Sequence, residues 1–153
     1  MQRLLITAFA CLYSLSTYGQ LSNGSIAPDF TVSDINENEW NLYTLLEEGK
    51  SVILSFSTTW CVYCWDYHNS GILELLFTEY GPNGSNDLMV FLLESDDNTN
   101  IDDLNGTGNS TIGNWTSSTS YPIIDNASNI FEEYENSYFP TIYTICPNKT
   151  LFQ

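Results

Sequence analysis

The sequence predicts one α/β domain: a central mixed β-sheet flanked by helices, with a β-hairpin extension at its N-terminal side. Three observations predict it. Ser51–Ser57 (SVILSFS) and Asp87–Ser95 (DLMVFLLES) are nearly continuous β-rich apolar runs, as strands buried on both faces should be. Between them Ile72, Leu73, Leu75, Leu76 and Tyr80 recur at helical spacing, which makes a strand–helix–strand unit. Two short apolar runs around a Pro-Asn-Lys turn close the chain as a hairpin.

Each element has a local reason. Residues 1–19 (MQRLLITAFACLYSLSTYG) open on Arg3, run apolar from Leu4 to Leu15, and place Thr17 and Gly19 before Gln20 as a cleavage site would. They read as a secretory signal peptide, leaving residues 20–153 as the domain. The run is short of the roughly 20 apolar residues of a membrane span. Lipidation at Cys11 is a weaker reading, because the apolar run continues past it; membrane association would follow only from that. Asp29–Asp34 alternates apolar and polar and reads as a strand, with Trp40–Tyr43 pairing back after a turn. Tyr43–Gly49 is a short helix stopped by glycine. A helix is expected over Cys61–Tyr80, with a kink or break at Gly71. Asp96–Ser120 is a long polar loop with a short helix near Ile101–Leu104. Ala127–Tyr138 sets Ile130, Phe131 and Tyr134 on one helical face. Strands follow at Thr141–Cys146 and from Thr150 onward. A core of this order is expected to end in a covering helix. None follows the last strand, so the sequence reads as the N-terminal piece of a longer or truncated protein.

Composition narrows the function. Three basic residues face 19 acidic ones, for a formal charge of −16. Such a surface repels a nucleic-acid backbone and an anionic membrane. Export puts Cys61, Cys64 and Cys146 in an oxidising compartment, where disulfides persist. The spacing is one close pair plus one odd cysteine, with Cys146 expected as a buried strand residue.

The chemistry concentrates in Ser57–His68 (STTWCVYCWDYH). The pair follows the central strand and opens a helix, where free N–H groups and the helix dipole favour a Cys61 thiolate. Cys64, one turn deeper, can resolve a mixed disulfide. Three other readings compete. Cys61, Cys64 and His68 have the types and spacing of a zinc or copper trio. Thr58 stands where a peroxidase would place it before Cys61, but Leu54 occupies the position that needs proline. The acidic run from Glu94 to Asp103 lacks the glycine and glutamate of an EF-hand loop. His68, one turn after Cys64, titrates near neutrality and is a candidate proton acceptor for it.

APDFTVSDI, GKSVILSFSTTWCVYC and YFPTIYTICPN together resemble the thioredoxin-like proteins of the TlpA/ResA and AhpC/TSA type, over Ile26–Gln153. The resemblance implies a thioredoxin-like fold and an exported, periplasmic or cell-surface thiol–disulfide oxidoreductase. Its redox pair would be Cys61–Cys64, tuned by Val62 and Tyr63, with no cofactor. It implies a cis bond before Pro140, packed against the disulfide, and a substrate-facing rim of Trp60, Phe139 and Pro140. Protein thiols or disulfides and an upstream electron donor or acceptor would be its partners. Two family acids are replaced, by Ser55 and Tyr67. That leaves a competing expectation, a secreted or surface binding module that keeps the disulfide only as a structural link.

Overall fold

The computed structural model describes residues 19–153, so the proposed signal peptide lies outside the described residues except for Gly19. The hairpin forms as expected, from β1 (Thr31–Ser33) and β2 (Glu39–Asn41), and stands as its own two-stranded sheet. Asp34 closes its turn. Burial opposes ionisation of this carboxyl, but hydrogen bonds from the Trp40 indole, the Asn38 side chain and the Asn38 and Asn36 amides outweigh it and hold the group below the usual range. Helix α1 (Leu42–Glu47) starts on Asn41, whose Oδ1 accepts the Thr44 N–H at 2.8 Å, and stops before Gly49 at φ +88°.

The main sheet contains β3 (Ser51–Ser57), β4 (Leu88–Glu94), β5 (Ile123–Ile124), β6 (Thr141–Ile145) and β7 (Leu151–Phe152), in the order β5-β4-β3-β6-β7. β3 pairs parallel with β4 and antiparallel with β6, so the sheet is mixed. The central runs are apolar throughout because both their faces are covered. Val52, Leu54, Phe56, Met89, Phe91 and Leu93 join the core beneath α1 and α5 (Ser128–Glu133). The alternate residues Ile53, Leu88, Val90 and Leu92 face the opposite layer, which holds both cysteines, Leu73, Leu104 and Trp115. That second layer contains α2 (Val62–Asn69), α3 (Ile72–Tyr80) and α4 (Ile101–Leu104).

Of the kink or break expected at Gly71, the structure has the break: Gly71 sits at φ +72° between α2 and α3. Two expectations need correction. The helix over Ala127–Tyr138 stops at Glu133, and Glu135 turns left-handed at φ +53°. β5 lies between the long loop and α5, where the sequence assigns no element; two residues carry too little pattern to announce a strand. Cys146 lies just past the end of β6 and is half-buried, in place of a buried strand position.

Candidate functional site

Cys61 and Cys64 are joined by a disulfide, with Cα atoms 5.2 Å apart. β3 delivers them: after Ser57 the chain turns through Thr58–Trp60, and Cys61 becomes the N-cap of α2, its Sγ accepting the Cys64 N–H at 3.1 Å. The sulfur thus already sits where a helix terminus offers unpaired N–H groups and positive potential. Cys61 is 7% exposed and Cys64 1%, so Cys61 is the more accessible of the two. Between them Val62 and Tyr63 point outward, and Tyr63 is 76% exposed.

The register sets the cysteine and proline motifs at one end of the sheet. Thr141 opens β6 opposite Phe56, the penultimate residue of β3. The preceding Phe139–Pro140 bond is cis, as expected. Phe139 packs against the layer that contains Cys61 and Cys64, and its ring lies 4.5 Å from that of Phe131. Trp60 is half exposed beside them, its Nε1–H donating to Asp96 Oδ2 at 2.8 Å. The Asn98 amide and this indole hold Asp96 ionised below the ordinary carboxylate range.

The long polar loop is a wall of this site, fastened through Thr59. The Thr59 hydroxyl donates to the Ser110 carbonyl at 2.6 Å. The Thr59 carbonyl accepts from the Ile112 amide and from the Trp115 indole, both at 3.2 Å. Its acids serve as local caps: Asn100 and Asp103 form a capping box on α4.

His68 does share the helix with Cys64, but its ring is engaged elsewhere. It stacks on Trp65 with centroids 5.5 Å apart and lies 5.2 Å from the Trp115 ring. Its Nδ1 is 3.3 Å from the Tyr121 hydroxyl. Burial pushes the imidazole below its ordinary value, against the pull of the Glu74 carboxylate, which keeps it neutral at pH 7. The metal trio is not assembled: both sulfurs are in the disulfide, and among the described residues no three His, Cys, Asp or Glu side chains are grouped to hold an ion. Cys146 could not complete it, since Ile145 pairs with Val52 at the far end of β3.

One acid escaped the sequence reading. Glu94 ends β4 and is 1% exposed. Its Oε1 accepts the Thr59 N–H at 3.3 Å and its Oε2 the Asp96 N–H at 3.2 Å. Burial dominates its titration; the Thr99 hydroxyl and the Asp96 and Thr59 amides oppose it, Asp125 adds to it, and the carboxyl is pushed up to about 7. The signal was available: Glu94 continues the inward-facing parity of Leu88, Val90 and Leu92. It was masked by the acidic loop that follows it.

Solved structures with a similar fold are numerous. The thioredoxin domain of a thiol-disulfide oxidoreductase from Bacteroides vulgatus superposes with a TM-score of 0.66 at 18% identity, over 86% of each chain. The fold is thioredoxin-like. A thiol:disulfide interchange protein from a Bacteroides species matches this thioredoxin-like chain with a TM-score of 0.61 at 18% identity, over 86% of this chain and 79% of the other. The pneumococcal exposed lipoprotein thioredoxin from Streptococcus pneumoniae gives 0.58 at 20% identity, over 82% and 87%. No family model matches the sequence, and no curated protein matches it either. The thioredoxin-like architecture is therefore carried by structure at low sequence identity.

Proposed function

We propose that the protein is an exported thiol–disulfide oxidoreductase. The observation that carries this is the Cys61–Cys64 disulfide at the mouth of α2, directly after the central strand, with its more accessible sulfur on the helix N-cap. Its fold is shared with chains described as thiol-disulfide oxidoreductase and interchange proteins, which supports the reading. Export rests on the leader-like residues 1–19, and the surface-exposed pneumococcal thioredoxin supports it by analogy.

The steps follow from the geometry. In the reduced pair the Cys61 thiolate attacks one sulfur of a substrate disulfide. A mixed disulfide forms and the first substrate thiolate leaves. Cys64 then attacks the Cys61 sulfur, expels the second substrate thiolate and restores the internal disulfide. A dithiol donor reduces the pair again by the reverse sequence. Trp60, Phe139 and Pro140 form the rim on which an extended substrate segment rests, and outward-facing Val62 and Tyr63 tune the couple. Neutral His68 is the candidate for proton transfer, through the Trp115 and Tyr121 side chains that share a buried layer with the cysteines.

A thiol-alkylation titration of the pair in dithiol buffers tests the reading. The expected result is a reversible two-electron midpoint between about −120 and −270 mV, the range of working oxidoreductases. A pair that stays oxidised below about −300 mV is a structural disulfide. The binding-module reading then takes its place.

A further inference from the structure

The break at Gly71 does more than end α2. It turns the chain into α3 at a corner, and the polar loop before β5 passes beside that corner. The two are tied where the Ser120 N–H donates to Glu74 Oε2 at 2.9 Å. Between them lies an open cleft of about 470 Å³ that begins at Trp65, the residue after Cys64. The exchange chemistry above touches this cleft only at His68. Its walls are Trp65, His68 and Tyr121. These rings are fixed in place. His68 stacks on Trp65 and its Nδ1 lies 3.3 Å from the Tyr121 hydroxyl. The missing Cβ of Gly113 makes room for the Trp65 ring carbons. Burial shifts both the His68 imidazole and the Tyr121 phenol toward their neutral forms, and the Glu74 charge acts on each.

Among the described residues, the Glu74 carboxylate is thus the one charged group lining the cleft. It uses one oxygen for Ser120. Its Oε1 accepts no hydrogen bond among the described residues, and Lys50 and Lys149 are paired with Glu48 and Glu47. A half-buried carboxylate without a counterion, set between aromatic walls, favours an arriving cation. A metal ion would find a single carboxylate here, short of the ligands it needs. A guanidinium suits the cleft. It is flat enough to lie along the rings and is always charged. Its fork of N–H donors can meet Glu74 and the exposed oxygens of Asn69, Ser117 and Ser118 at the rim together.

We propose that this cleft is a binding site for a guanidinium group, held by Glu74 Oε1 and the aromatic walls. The group belongs to an arginine side chain of a protein partner or to a free guanidino compound, and the same contacts serve both. The site stands whether or not the cysteines turn over.

An NMR titration of the full oxidised chain with methylguanidinium, at physiological salt, tests it. Methylurea, flat and of like shape but uncharged, is the control. The expected result is saturable shifts at the Trp65 indole N–H and the Ser120 amide with methylguanidinium, and none with methylurea. Glu74→Gln keeps an oxygen for Ser120 and should bind about tenfold more weakly, the worth of one charge-assisted hydrogen bond. Asn69→Asp adds a charge at the exposed rim and should bind about threefold more tightly, a gain that misfolding cannot mimic. An equal response to methylurea, shifts spread evenly over the surface, or an affinity that neither variant moves overturns the site. The same titration with an arginine-containing tripeptide and with agmatine names the source. Tighter binding of the tripeptide marks a partner's side chain, and tighter binding of agmatine marks a free guanidino compound.

Discussion

At the scale of single residues, Glu94 also shapes stability. Its folded value, about 7, lies above the ordinary 4.5, so the folded state holds the proton more tightly. The stabilisation is complete below about pH 4.5 and is lost as pH rises through about 7. Glu94→Gln should therefore be more stable than the native chain at pH 8, on the order of 2 kcal/mol, with the advantage gone at pH 4.5. Urea unfolding at the two pH values reads this directly, and an equal loss at both would mark a hydrogen-bonding role alone. The Cys61–Cys64 pairing and the cis bond before Pro140 were legible in the sequence because they depend on residue type and spacing. Glu94 was not, because its role comes from a parallel neighbour that brings Thr59 within reach across 35 residues of chain. His68 was legible as a position, but its aromatic partners were not. Helical spacing places a residue on a face, but the aromatic rings of Trp65 and Trp115 decide where the imidazole points.

At the scale of elements, two glycines separate backbone strain from steric exclusion. Gly71 ends α2 at positive φ with open space around its missing Cβ, so Gly71→Ala should cost only the left-handed conformation, about 1 kcal/mol. Gly113 lies against the Trp65 indole, and an added Cβ would meet its ring carbons. Gly113→Ala should cost about 1–3 kcal/mol by overpacking and loosen the Trp65–His68 stack. Denaturation curves measure both costs, and Trp fluorescence should shift in the second variant only. β3 and β4 were readable nearly to the residue, because burial on both faces leaves a continuous apolar signature. Helix α5 was over-read: Tyr134 does pack in the core, but from the C-cap, one residue beyond the last helical position. Apolar spacing could not show that Glu135 would leave the helical region.

At the scale of the whole molecule, the lysines among the described residues are confined to one end of the sheet and are each paired with a glutamate there. That is the end where β3 begins, while Asp96, Asp103 and Asp125 lie near the end that carries the disulfide. A cationic substrate segment should be steered toward the cysteines. Exchange with a Lys-flanked disulfide peptide should slow about tenfold between low and physiological salt, and a Glu-flanked one should speed up. Stopped-flow exchange rates check this, and salt-independent rates for both peptides would remove charge as a selector. Thr59 joins the wall of the site to the sheet. Its amide, hydroxyl and carbonyl are all occupied, and its partners come from Glu94, Ser110, Ile112 and Trp115. Ser110 and Ile112 contribute only main-chain atoms to this junction, whereas Glu94 and Trp115 contribute side chains. Ser110 and Ile112 can therefore change without loosening the junction, whereas Trp115 and the packed glycines Gly108 and Gly113 cannot. The wall is written in a few fixed letters, and the spaces between them are where a lineage could vary it while presenting the same pair of sulfurs.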